Sequence, residues 1–60
     1  MKIFLLNQIY DLKVELKKGT ISNYTAEILE EDDQFLKFKD KFGEEVTVSK
    51  DIIKFSKIIK

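Results

Sequence analysis

Residues 24–38, YTAEILEEDDQFLKF, decide how the chain is read. Tyr24, Ala26 and Ile28 alternate with Thr25, Glu27 and Leu29. Beyond Glu30-Glu31-Asp32-Asp33, Leu36 and Phe38 alternate with Lys37 and Lys39. Successive side chains of a strand point to opposite faces. Alternation on both sides of a polar cluster therefore predicts a β-hairpin with one buried face. Tyr24 and Phe38 share the inward phase and are expected in the core. Phe35 is out of phase with Leu36 and Phe38.

Upstream, residues 11–18, DLKVELKK, predict another strand, with Leu12, Val14 and Leu16 on one face and Lys13, Glu15 and Lys17 on the other. Lys18-Gly19-Thr20 then turns the chain, with Gly19 available for a positive φ. Ile21 is out of phase with Tyr24, which places a bulge or bend near Ser22-Asn23. Residues 3–10, IFLLNQIY, have no clean period. A short N-terminal helix or turn leading into the first strand is expected there.

Downstream, Asp40-Lys41-Phe42-Gly43 reads as a tight turn. Residues 44–49, EEVTVS, read as a strand with Val46 and Val48 inward. The tail DIIKFSKIIK admits two readings. A helix would set its isoleucines opposite Lys50, Lys54, Lys57 and Lys60. A turn at Ser49–Asp51 followed by a strand around Ile52–Ile58 would close a barrel after four antiparallel strands. The second is preferred. The fold class expected is all-β, one domain over residues 1–60, a five-stranded small barrel.

The 60 residues are 43% hydrophobic and 37% charged. A domain this small buries only about 60% of the surface its unfolded chain exposes. So charged a chain of this length suggests an economical barrel or an oligomer that hides apolar surface in a partner. Eleven lysines balance eleven acids, which does not suit a protein that coats nucleic acid through a basic face. The charges are segregated, however: five acids and no lysine lie in residues 27–33, and Lys50, Lys54, Lys57 and Lys60 face only Asp51 in residues 50–60. With no cysteine, nothing argues for an oxidising compartment. The N-terminal apolar run is too short for a signal-peptide core or a membrane span, so a cytoplasmic location is expected, away from membranes.

The absence of His and Cys removes the commonest general base and the best nucleophile, so the chain is not read as an enzyme. Glu30-Glu31-Asp32-Asp33 lacks the alternate-residue spacing and central glycine of a calcium loop. It reads as a solvated turn that discourages edge aggregation. No metal or cofactor is expected. Phe35 and Phe42 have two readings: they cover barrel ends or a subunit contact, or they stack single-stranded bases.

Taken together, FLLNQIYDLKVELKKGT, AEILEEDDQFLKF and GEEVTVSKDIIKFSKI resemble the Sm-like small β-barrel family of the Hfq and LSm type. The turn Asp33-Gln34-Phe35 and the segment Val48-Ser49-Lys50-Asp51-Ile52-Ile53 carry most of the likeness. The resemblance implies a bent barrel that assembles into a homo-oligomeric ring through its fourth and fifth strands and binds single-stranded RNA. It implies Gln34 and Phe35 as the base-contacting pair and Lys50 as their basic partner. The alternative is an SH3-like interaction or regulatory module that pairs with another chain through an edge strand and binds no nucleic acid.

Overall fold

The structure, a computed structural model, describes residues 3–59. Five antiparallel strands form one open sheet: β1 (Ile9–Lys17), β2 (Thr20–Glu31), β3 (Phe35–Lys39), β4 (Glu45–Ser49) and β5 (Ile53–Ile59). The order across the sheet is β4-β3-β2-β1-β5. The hairpin predicted for residues 24–38 is present, with Ile28 opposite Phe38 and Glu31 opposite Leu36. Strand β5 lies beside β1, with Tyr10 opposite Ile58 and Leu12 opposite Ser56. The tail is thus a strand rather than a helix, preceded by a single 3-10 turn at Lys50–Ile52. Strands β4 and β5 are the two edges of the sheet.

Each turn follows from local chemistry. Gly19 takes φ +82° in the two-residue link between β1 and β2, a region that costs glycine nothing and other residues strain. Asp32 Oδ1 accepts from the amides of Gln34 (2.8 Å) and Phe35 (2.7 Å), which reverses the chain into β3. Asp40 Oδ1 does the same for Phe42 and Glu44. Both are side-chain turns of the kind aspartate favours. The Ser49 hydroxyl accepts from Asp51 N at the start of the 3-10 turn.

The core comprises Phe4, Tyr10, Leu12, Val14, Ala26, Ile28, Leu36, Phe38 and Val48, with Tyr24, Val46, Ile52 and Ile53 packed against it. Phe38 meets Tyr24 edge to face at 5.2 Å. The inward phases read from the sequence hold for these strands, with two departures. Leu16 shares the parity of Leu12 and Val14 yet is exposed, because β1 carries an extra residue between Val14 and Lys17 that breaks its register with β2. The irregularity expected at Ser22-Asn23 is therefore on the opposite strand, and Ser22 and Asn23 pair regularly with Val14 and Lys13. A second bulge falls at Leu29 on β2, and a third at Lys54 on β5.

The N-terminal segment takes the turn rather than the helix. Residues 3–8 contain a bend and a turn, with Asn7 at φ +64°. Asn7 N donates to Ile28 O and Ile28 N to Gln8 O, which extends the β1–β2 pairing by one residue. Two amides in succession, Asn7 and Gln8, stop the apolar run before a helical turn can repeat.

Candidate functional site

The Leu29 bulge has a consequence two residues later. Along β2 the inward residues run Tyr24, Ala26, Ile28; one inserted residue then shifts the parity, and Glu31 rather than Glu30 turns inward. Cross-strand partners share a face, and the partner of Glu31 is the fully buried Leu36. The Glu31 side chain has no exposed surface.

Three donors converge on its carboxylate. Ile3 N donates to Oε2 at 2.8 Å and Phe4 N to Oε1 at 2.9 Å. Lys50 Nζ, from the 3-10 turn, lies 2.6 Å from Oε2. Lys50 Nζ also donates to Asp32 O at 2.8 Å. Burial pushes the Glu31 carboxyl up, but the Lys50 hydrogen bond and the two amides outweigh it and hold the group below the usual carboxylate range. Asp32 is also held down, by the Phe35 and Gln34 amides. The reading of residues 30–33 as one solvated acidic run fails at Glu31. It holds for the exposed Glu30, Asp32 and Asp33.

This carboxylate fixes Ile3 and Phe4 against the sheet. Phe4 enters the core and meets Tyr10 edge to face at 5.0 Å. The Tyr10 hydroxyl accepts from Leu5 N at 3.1 Å. Ile3 and Phe4 then form one wall of a groove of about 250 Å³, whose other walls are Lys50, Ile53, Lys54, Phe55 and Ser56. The groove lies beside the edge strand β5, whose residues 53–56 line it.

The three residues singled out from the sequence come together at one end of the sheet. Gln34 O accepts from Lys50 N at 2.8 Å, and Phe35 pairs with Ser49. Gln34 is exposed, and Phe35 is 47% exposed on the outer face. The Lys50 side chain is only 14% exposed, and its ammonium is held by Glu31 and Asp32. Phe42, at the β3–β4 turn, is the most exposed of the large hydrophobics and carries Lys41 over its ring at 5.3 Å.

The residues that sequence reasoning missed are Glu31, Ile3 and Phe4. The signal for Glu31 lay in the hairpin itself. Once the turn is assigned to Asp32-Asp33-Gln34, Glu31 falls opposite the inward Leu36. Nothing local marks Ile3 and Phe4, because they reach their partner 27 and 28 residues away. Among the described residues no group of three or more His, Cys, Asp and Glu side chains could hold a metal ion, and no helix is long and apolar enough to cross a membrane. Comparison with protein-family models, curated proteins and solved structures gives no match.

Proposed function

We propose that the protein is a small-barrel interaction module of the SH3-like type, which engages another polypeptide through its β5 edge and does not depend on nucleic acid. One observation carries this reading. Ser56 and Ile58 of β5 lie opposite the buried Leu12 and Tyr10, on the core-facing side of the sheet, yet both remain exposed. A core-facing position left open beside an edge strand is where a further strand would lie. The strand order and the three bulges support the barrel reading, since each bulge bends its strand and raises the local twist.

A second reading, the Sm-like ring on single-stranded RNA, draws support from Phe35, which is exposed beside Gln34 as a stacking platform requires. Lys50 favours the first reading. To meet a phosphate its ammonium would have to leave a buried carboxylate, which is costly for the carboxylate left behind.

A paired experiment separates the two. Affinity capture with the wild type and with Ser56→Lys tests the edge, because an inward charge blocks strand addition. Partners should be retained by the wild type and lost by the variant. Electrophoretic shift of short oligouridine and oligoadenine at low salt should show no complex. A salt-sensitive RNA complex abolished by Phe35→Ala, with no polypeptide partner captured, would replace the first reading by the second.

A further inference from the structure

The interaction module just proposed leaves open what lies on β5, and the groove narrows the choice. A carboxylate with no exposed surface is spent on fixing Ile3 and Phe4, at 2.8 and 2.9 Å. A buried ion pair is a poor source of net stability, and a packed apolar pair often does as well. What this one supplies is placement: it holds two residues as the far wall of a groove whose near wall is the edge strand.

A strand added to β5 would run about 4.8 Å from it, with alternate side chains on the core face. Those side chains would point over the groove, toward Ile3, Phe4 and Ile53, all apolar. The remaining side chains would lie on the outer face beside Lys57, near the bulged Lys54. Lys54 is half exposed, and its contacts are long: 3.7 Å to Glu15 and 3.4 Å to Asp51 O. The outward charges of β5 itself, Lys54 and Lys57, are both basic, and each has one acid of β1 on its inner side, Glu15 and Asp11. Opposite charges on neighbouring strands stabilise the pairing, and like charges oppose it.

Resting on the module reading, we infer that the β5 groove is a docking site for an extended acidic segment of another protein, apolar residues inward and carboxylates outward toward Lys54 and Lys57. Its affinity should come from main-chain pairing and its selectivity from the groove and the two lysines.

The test uses fluorescence anisotropy with a short labelled peptide of alternating valine and glutamate, and a valine–lysine peptide as control. The full chain should bind the acidic peptide at least about tenfold more tightly than the basic one. Lys54→Glu with Lys57→Glu, both at exposed positions, should reverse that preference. Glu31→Gln, checked for retained sheet by circular dichroism, should weaken the acidic peptide without altering the preference. Lys54→Glu with Lys57→Glu alone decides the matter if Glu31→Gln does not fold. Equal binding of both peptides, or binding of neither, overturns the inference. In that case partner capture that Ser56→Lys still abolishes would leave the module reading standing. Concentration-dependent self-association in ultracentrifugation, abolished by Ser56→Lys, would also overturn it, because a second copy would then fill the groove.

Discussion

Strands β4 and β5 are both edges of the same sheet, yet they are finished differently. Strand β4 is five residues long; Val48 is buried, Val46 is half-buried, and Glu45 meets Lys37 at 3.2 Å on the outer face. Strand β5 is seven residues long and has no buried residue; Phe55, Ile58 and Ile59 are all exposed. A short edge with charges outward resists strand addition, whereas a long edge with apolar residues invites it. The difference teaches where to look for a partner. It also places the buried Glu31–Lys50 pair, at the seam between the finished end of the sheet and the open one.

The comparison can be broken first at the finished end. Phe38 is fully buried among strands β2 to β4. Phe38→Ala should cost about 3–5 kcal/mol, a large share of the stability of so small a domain. Urea denaturation followed by circular dichroism should show the midpoint collapse. A loss below about 1 kcal/mol would show that this half is not the rigid one.

The seam comes next. Lys50→Ala should cost roughly 1.5–3 kcal/mol, the range for a hydrogen bond to a charged group. It should also lower hydrogen-exchange protection at Ile3 and Phe4 before it affects β3. Unchanged protection at those two amides would mean that the clamp does not hold the groove wall.

The same seam gives the pH dependence a sign. The folded Glu31 carboxyl titrates below its ordinary value of 4.5. Its contribution is therefore complete above that value and is lost as pH falls through the depressed folded one. Asp32 adds in the same direction. Urea midpoints should be flat from neutral pH to about 5 and fall below it. Glu31→Gln should flatten part of that fall, and an equally steep fall in the variant would assign the acid sensitivity elsewhere.

The smallest effect is expected at the open edge. Phe55→Ser should change stability by no more than about 0.5 kcal/mol, as exposed positions do. A larger loss in thermal melting would mean that the Phe55 ring, with Lys13 at 6.0 Å, packs more firmly than its exposure suggests.

How much of this was legible can be traced residue by residue. Period-two alternation located the strands, because it reports one buried face whatever covers it. Aspartate and glycine located the turns. Gln34 and Lys50 are joined by a backbone hydrogen bond. The environment of Lys50 was not legible. A lysine in a basic tail reads as solvated, and only the fold brings it to Glu31, 19 residues away.

The sequence by itself determined an all-β chain, its hairpins and most of its inward residues, because alternation and turn chemistry act over a few neighbouring residues. The tertiary structure decided three further things. It turned Glu31 inward, because one bulged residue reverses every later side chain. It folded Ile3 and Phe4 onto the sheet, because their partner Glu31 lies 28 and 27 residues away. And it left β5 an open edge, because whether a sheet closes depends on summed twist and register, which no single stretch encodes.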